Sequence, residues 1–311
     1  DLHSPVELLE RCFGLSLSDQ YWIKEGNSDI QWADINFFEN DFSEDMGKLL
    51  MGQIHYSDDL DIFSPDNSSD GNLKKKWKII NNTRYLIKGG NSFNNQEPFN
   101  ELVATKLYER ILEKQDYVPY ELLHENDVYY SACPTMINTD EELVSAYYID
   151  RMIKQRGNDS LCTHFLEACK SLNIPNAKEQ IDKMIVCDYI IANYDRHYRN
   201  FGAIRNVNTL EWIGIAPIFD SGSSLWATQP TSLIGSTYKC KPFKSYPEEQ
   251  LGLVDDLFWL DITKLEGFEQ EVEDIFKMNP LMDEARIQAI VQQIELRIGK
   301  VIERKRQLGN F

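Results

Sequence analysis

The sequence is poor in basic residues. It holds 32 lysines and arginines against 50 aspartates and glutamates, which gives a formal net charge of −18 over 311 residues. Binding along a nucleic-acid backbone requires a basic footprint, because lysine and arginine must neutralise the phosphates. We therefore expect no direct nucleic-acid binding, although the composition still permits a small basic pocket for one phosphorylated ligand.

Long apolar runs are also lacking. No stretch approaches the roughly 20 apolar residues that span a bilayer, and no signal-peptide pattern is present. We expect no membrane partner. The chain begins at Asp1 without a methionine, so we expect that further residues precede it.

The cysteines form neither a CxxC pair nor a Cys/His knuckle. This spacing argues against a disulfide framework or a structural zinc site and favours reduced thiols in a cytoplasmic compartment. The chain also has no internal repeat. The six cysteines are Cys12, Cys133, Cys162, Cys169, Cys187 and Cys240.

What the sequence does contain is a β-rich first part. The stretches "KWKII" and "RYLIKGG", separated by the turn signal "NNT", predict a hairpin. Further on, "YVPYELLHENDVYYSACPTMI" predicts two more strands. Between them, "NELVATKLYERILEK" predicts an amphipathic helix over residues 100–114, with Asn100 as its N-cap.

From about residue 139 helical periodicity dominates. It is seen in "DEELVSAYYIDRMIK", "CTHFLEACKSL", "NAKEQIDKMIVCDYIIANY" and the C-terminal "DEARIQAIVQQIELRIGKVIERKRQ". A β-rich front with one helix and a helix-rich back predict an α+β fold with two lobes. We assign residues 1–135 to the N-lobe and residues 136–311 to the C-lobe.

Two stretches concentrate polar chemistry. "IIANYDRHYRNFGAIRN", residues 190–206, places Asp195 and Asn200 in one loop behind an apolar run. "IGIAPIFDSGSSLW" follows, a buried-strand pattern that ends at Asp220. Phosphoryl transfer needs a lysine on the nucleotide phosphates, hard oxygen ligands for Mg²⁺ and a carboxylate that receives the acceptor's proton. The chain offers these parts in workable order, with Lys88 at a strand end and Glu101 near the start of the next helix.

These motifs resemble those of a known family. "NYDRHYRNFGAI" followed by "APIFDSGSSL" resembles HipA-like bacterial serine/threonine kinases, which have a protein-kinase-like fold and whose DRHxxN order is shared by phosphoinositide-type lipid kinases. The resemblance extends upstream to "YLIKGG" with "NELVATKL", and more loosely to "SSDGNLKKKW".

The resemblance implies a role for each residue of the set. Asp195 corresponds to the catalytic base, and Asn200 and Asp220 correspond to Mg²⁺ ligands. Lys88 corresponds to the lysine that contacts the α- and β-phosphates of ATP, and Glu101 to the helix glutamate that orients it.

The loop around Gly71 resembles the loop that covers the phosphates, although it departs from the pattern by having a single glycine and no GxGxxG. Among the lysines at 74–76 we single out Lys75 as the one that faces phosphate; the alternative is a solvated edge strand. The resemblance implies autophosphorylation on Ser68, three residues before Gly71, with Ser69 as its neighbour. Serines that cap turns in a flexible loop are the alternative interpretation.

Each site residue also has an ordinary structural interpretation. An isolated aspartate such as Asp195 usually caps a turn, and Lys88 alone is compatible with a solvated strand end. For His197, packing of the loop and catalysis are equally compatible with the pattern. For Arg196 and Arg199 we favour a structural role.

The leading hypothesis is an ATP- and Mg²⁺-dependent serine/threonine protein kinase of the HipA-like type. The resemblance implies a toxin-like growth regulator, a protein substrate with a Ser/Thr acceptor and a DNA-binding antitoxin partner. A phosphoinositide-type lipid or small-molecule kinase is the alternative, which the absence of a polybasic segment disfavours. A catalytically dead nucleotide-binding module is the second alternative.

Overall fold

The structure is a computed structural model that describes residues 5–55, 57, 60–68, 74–91 and 93–309. Two residues of the predicted phosphate loop, Ser69 and Gly71, lie outside the described residues. Ser68 is the last residue of a short 3₁₀ helix, Pro65–Ser68.

Three short helices precede the first sheet: α1 (Pro5–Cys12), α2 (Trp32–Ile35) and α3 (Asp45–Leu50). The same N-terminal segment contains an aromatic cluster in which Phe37 is fully buried and packs against Phe42 and Phe63. Trp77, on the first strand of the sheet, contacts the same cluster. The N-terminal segment is thereby attached to the outer strand of the sheet.

The N-lobe sheet is antiparallel and has the strand order β1-β2-β4-β3. Its strands are β1 (Lys75–Ile80), β2 (Thr83–Lys88), β3 (Glu121–Glu125) and β4 (Val128–Pro134). The predicted hairpin and the two further strands are confirmed. Asn81 and Asn82 both have positive φ, of 47° and 64°, as the tight turn that joins two twisted strands requires.

Helix α4 (Glu97–Ile111) follows β2. It starts and ends three residues earlier than the sequence predicts, so Asn100 is not the N-cap. The first turn contains Pro98, whose fixed φ and missing N–H suit that position. Asn100 lies inside the helix and is fully buried.

The C-lobe begins with a second antiparallel sheet of order β5-β6-β7, made by β5 (Glu141–Ser145), β6 (Gly202–Asn206) and β7 (Trp212–Ile215). The helix predicted over "DEELVSAYYIDRMIK" is therefore wrong in its first part. There β5 pairs with β6 along its whole length, and only α5 (Ala146–Ile149) is helical. Pairing with a distant strand has overridden local periodicity.

The remaining helices are α6 (Leu161–Ser171), α7 (Ala177–Ile190), α8 (Pro247–Leu251), α9 (Phe268–Lys277) and α10 (Glu284–Leu308). Their buried faces join α4 in one continuous apolar core, and all six cysteines are buried with free thiols. The α+β class predicted from the sequence is confirmed. No helix in the described part of the chain has the length and apolarity to cross a membrane.

The segment that delivers Asp220 is not a strand. β7 ends at Ile215, and only Ile218 makes an isolated bridge, to Tyr117. Pro217 interrupts the pattern because it has no N–H to donate to a ladder. Asp220 itself has a φ of 58°, in the left-handed region.

Candidate active site

Lys88, the last residue of β2, lies at one of the contacts between the two lobes. Its Nζ lies 2.6 Å from Oδ1 of Asp220, 3.2 Å from Oε1 of Glu101 and 3.3 Å from the hydroxyl of Tyr120. Three segments distant in sequence thus converge on one ammonium group. The structure brings together three of the residues singled out in the sequence and adds Tyr120.

Charge and burial work against each other in this cluster. Burial raises the pKa of the Glu101 carboxyl above its usual range despite the opposing effect of Lys88. Burial also pushes the pKa of Asp220 upward, but Lys88, Arg196 and Lys75 more than offset it, so this pKa lies below its ordinary value. Burial alone would lower the pKa of Lys88, yet the neighbouring negative charges, first of all Asp220, raise it well above normal. The lysine therefore stays protonated and Asp220 stays ionised.

Glu101 holds more than the lysine. Its Oε2 accepts a hydrogen bond of 2.9 Å from the backbone N–H of Ser221, the residue after Asp220. The Tyr120 hydroxyl similarly accepts from the N–H of Asp220 at 3.3 Å. The backbone N–H groups of Asp220 and of Ser221 are therefore both hydrogen-bonded to side chains of the lobe that carries Lys88.

Two amide side chains at the start of α4 hydrogen-bond to the loop after Asp220. Asn100 donates from Nδ2 to the carbonyls of Gly222 and Ser224, both at 2.8 Å. Gln96 donates from Nε2 to the carbonyl of Leu225 at 2.8 Å. The sequence motifs do not predict these contacts. The signal that could have indicated them is a pair of amide side chains, Gln96 and Asn100, on either side of Pro98 at the start of the helix.

Asp195 and Asn200 occupy the loop between α7 and β6. The N–H of Asp195 donates to Oδ1 of Asn193 at 3.0 Å, and Nδ2 of Asn200 donates to the Asp195 carbonyl at 3.2 Å. The loop is closed by its own side chains, which fixes the direction in which both functional groups leave the backbone. Gly202 ends it at a point where a Cβ would lie 2.2 Å from the carbonyl oxygen of Val144, so a larger residue does not fit.

His197 lies beside the candidate base. Its Nε2 is 4.0 Å from Oδ2 of Asp195, and its Nδ1 accepts from the backbone N–H of Arg199 at 3.2 Å. Through the second contact the imidazole stabilises the conformation of the loop. The first places a ring nitrogen near the carboxylate but outside hydrogen-bond distance.

Arg196 is fully buried beneath the site. Its guanidinium forms a bidentate salt bridge with Asp188 of α7, with both N–O distances at 2.9 Å. The same group donates to the carbonyl of Asn200, to the carbonyl of Phe219 and to the hydroxyl of Ser221. One side chain thereby connects the loop of Asp195 and Asn200 to the residues on either side of Asp220.

Lys241 also contacts the site, and no motif of the sequence predicts this. It comes from the segment between Asp220 and α8, and its Nζ lies 2.7 Å from Oδ1 of Asp195. The signal in the sequence is the charge pattern, since residues 221–247 contain no aspartate or glutamate and three lysines.

Lys75 lies directly opposite Lys88 in the register of β1 and β2, and residues paired in this way project from the same face of a sheet. Its charge contributes to the lowered pKa of Asp220. The third serine of the loop region, Ser64, is fully buried and donates to Asp66 at 2.8 Å. Ser64 is therefore not accessible to modification in this conformation.

The donor set fits a magnesium ion bound together with a phosphorylated nucleotide. Lys88 bonds Oδ1 of Asp220, and among the described residues none donates to its Oδ2. The amide of Asn200 uses its nitrogen within the loop, and within the same described part no donor reaches its Oδ1. One carboxylate and one amide oxygen match the ligands that Mg²⁺ takes when phosphate and water complete its shell. The described residues contain no group of three or more His, Cys, Asp or Glu that could hold a metal by themselves.

Comparison with known proteins shows the fold. No protein-family model and no curated protein sequence matches the chain. Among solved structures it is similar to the Helicobacter pylori proinflammatory kinase CtkA, with a TM-score of 0.53 and 19% sequence identity, over 76% of this chain and 92% of that chain. The chain therefore has a kinase-like fold.

Proposed function

We propose that the protein is an ATP- and Mg²⁺-dependent serine/threonine protein kinase of the HipA-like type. The observation that carries the proposal is the junction at Lys88, where the ammonium contacts both Glu101 and Asp220. Arg196 connects that junction to the loop of Asp195 and Asn200. A lysine positioned by a glutamate, two oxygen ligands and a separate carboxylate are the parts that phosphoryl transfer requires.

In this mechanism Lys88, with Lys75 on the same face of the sheet, binds the phosphates of ATP. Asp220 and Asn200 would hold Mg²⁺, which neutralises charge that develops on the phosphates. Asp195 accepts the proton of the acceptor hydroxyl as the oxygen attacks the terminal phosphorus. Arg196 keeps the two loops at a fixed separation throughout.

The finer parts of the proposal rest on the motif resemblance. They are a Ser/Thr acceptor in a protein substrate, a cytoplasmic toxin-like role in growth control, a DNA-binding antitoxin partner and autophosphorylation on Ser68 or Ser69. A phosphoserine adds about −1.5 to −2 charge at neutral pH. Placed beside the nucleotide phosphates, it would repel them and compete for Lys75 and Lys88, which lowers ATP affinity.

The test is incubation with γ-labelled ATP and Mg²⁺, alone and with a bacterial lysate, followed by phosphosite mapping. We expect label on protein serine or threonine from the wild type and none from Asp195→Ala. Asp41→Asn, at an exposed carboxylate outside the site, is the matched control and should label like the wild type. Label on phosphoinositide vesicles but not on protein would favour the lipid-kinase alternative, and ATP binding without transfer to any acceptor would favour the inactive module.

Mapping also tests the regulatory part. Phosphate on Ser68 or Ser69 in the wild type but not in Asp195→Ala would support autophosphorylation. An unmodified loop in a fully active preparation would refute it without affecting the proposed activity.

A further inference from the structure

Lys241 contacts the candidate base from outside every motif that the sequence singled out. Its Nζ lies 2.7 Å from Oδ1 of Asp195, while Oδ2 of the same carboxylate faces His197 at 4.0 Å. The carboxylate therefore has one oxygen bonded to a lysine, while its other oxygen lies outside hydrogen-bond distance of His197. A base needs only one oxygen to accept a proton.

The backbone that carries Lys241 is fixed by a buried glutamine. Oε1 of Gln250, in α8, accepts from the N–H groups of Phe243 and Lys244 at 3.1 and 2.9 Å, and its Nε2 donates to the carbonyl of Lys241. The ring of Phe243 is buried and lies 6.0 Å from the ring of Tyr198, which belongs to the loop of Asp195. The lysine is thus delivered to Asp195 from a rigid support, although its own side chain is half exposed.

The charge pattern of the chain singles out the same segment. Although the chain holds 50 carboxylates, two stretches of more than 25 residues contain none, residues 71–96 and 221–247. The first carries Lys75 and Lys88, and the second carries Lys241. In a protein of net charge −18, negative charge is absent from the two segments whose lysines reach the candidate site.

The position of a base limits how far Lys241 can be from the reaction. A general base must lie about 2.6–3.2 Å from the oxygen whose proton it takes, and that oxygen lies about 3–3.5 Å from the atom it attacks. An ammonium bonded to the same carboxylate is then in the neighbourhood of the transferring phosphoryl group, at a distance set by the side of the carboxylate on which the acceptor lies. Lysine has three donors on a flexible stem, so one can stay on Asp195 while another reaches a phosphate oxygen.

We infer that Lys241 is a catalytic residue that bridges the Asp195 carboxylate and the phosphoryl group in transfer. This inference rests on the proposed function. In the step, the acceptor O–H gives its proton to Oδ2 of Asp195 and the acceptor oxygen bonds to the terminal phosphorus. The bond from that phosphorus to the bridging oxygen breaks, and ADP leaves with the electron pair. Lys241 keeps its proton and stabilises the charge on the phosphoryl oxygens.

The experiment compares Lys241→Met and Lys241→Arg with Lys239→Met, which removes a neighbouring exposed lysine that has no contact with Asp195. Removing one preorganised donor from a transition state typically lowers kcat by about 10²–10³-fold, and we expect a loss of that size in Lys241→Met. ATP affinity by calorimetry should stay within about twofold, because the nucleotide's ground-state contacts are made by Lys88 and Lys75. Lys241→Arg should recover at least about tenfold of the lost rate, since it keeps the charge, and Lys239→Met should behave as the wild type.

Several results would overturn the inference. An increase in kcat in Lys241→Met would make the contact an inhibitory clamp, and an unchanged kcat would make it a surface ion pair. If Lys239→Met loses as much kcat as Lys241→Met, the effect comes from the general positive charge of the segment. If ATP affinity in Lys241→Met falls as much as kcat, Lys241 is a nucleotide-binding residue. Thermal unfolding of each variant separates these from misfolding. If the wild type transfers phosphate and Lys241→Met matches it, this inference alone fails. If the wild type transfers none, the proposed function fails and the inference with it.

Discussion

The candidate site contains two lysine–aspartate pairs that differ in their surroundings. Lys88 and Asp220 come from different lobes, and Lys88 is buried against Glu101 and Tyr120. Lys241 and Asp195 both come from the C-lobe, and their side chains are 52% and 35% exposed. A buried charge is tolerated only when it is paired and hydrogen-bonded, whereas an exposed pair adds little to stability and exchanges readily.

The difference suggests a division of work. The pair at Lys88 is held in a network with Glu101 and Tyr120, and it contributes to the contact between the lobes. The exposed pair can rearrange at little cost, which is compatible with the proposal that Lys241 contacts a phosphoryl group while it remains on Asp195. Arg196 donates to the backbone near both aspartates, and it is one of the connections through which the two pairs keep a common geometry.

The largest expected effect is at Asp220. Asp220→Asn removes the only carboxylate of the proposed metal site, so Mg²⁺-dependent turnover should fall below detection. Calorimetry should show that Mg²⁺ no longer strengthens ATP binding. Cooperative unfolding should persist, because the Asp220 side chain is 39% exposed and Glu101 still pairs with Lys88. Turnover at the wild-type rate in this variant would remove the kinase assignment.

The second-largest loss of activity is expected at Asp195, the aspartate that pairs with Lys241. Loss of a general base lowers the rate by about 10²–10⁴-fold, and we expect kcat of Asp195→Ala to fall in that range. ATP affinity should be retained, because Lys88 and Asp220 are unchanged. If calorimetry shows affinity lost along with rate, Asp195 holds the nucleotide or the loop and is not the base.

The sequence predicts the elements that depend on local patterns, but not the contacts between segments that are far apart in the chain. The hairpin of β1 and β2 and the helix α7 follow from local patterns, and motif spacing placed Lys88, Glu101 and Asp220 in one set. Lys241 could not be found in this way, since its contact with Asp195 joins segments 46 residues apart. The local pattern of residues 141–145 predicts a helix and not β5, because the pairing with β6, some 60 residues further along the chain, leaves no local signal.

Stability separates the two pairs directly. Lys88 also pairs with Glu101, whose side chain is 3% exposed, and breaking a buried pair by removing one partner typically costs about 3–5 kcal/mol. An exposed pair contributes about 0–1 kcal/mol. Lys88→Met should therefore lower the free energy of unfolding by several times more than Lys241→Met in denaturant titrations. The Lys88→Met loss should be smaller at pH 5 than at pH 8, because Glu101, whose pKa is already raised, can take up a proton when its lysine is gone. Equal losses in the two variants would mean that burial does not distinguish the pairs.

Asp66 provides a third case, a buried carboxylate whose neighbouring lysines do not compensate for its burial. It is 4% exposed, accepts from the N–H of Trp77 and from the hydroxyl of Ser64, and leads into the predicted phosphate loop. Burial raises its pKa from 3.8 to about 6, although both hydrogen bonds and the charges of Lys76 and Lys75 act in the opposite direction. The sign is therefore opposite to that at Asp220.

Because the folded state binds this proton more tightly than the unfolded state, Asp66 contributes stability below about pH 4, and this contribution is lost as the pH rises through about 6. The shift corresponds to about 3 kcal/mol. Asp66→Asn resembles the protonated form: its Oδ1 can still accept from the N–H of Trp77, and its Nδ2 can donate to the hydroxyl oxygen of Ser64. Wild type and variant should therefore unfold with similar free energies at pH 4. At pH 7 the variant should be more stable by up to that amount. Asp41→Asn serves as the control for removal of one carboxylate. Denaturant titrations from pH 4 to pH 8 decide the matter, and a difference between wild type and Asp66→Asn that does not grow with pH would show that the lysines of β1 do compensate for the burial.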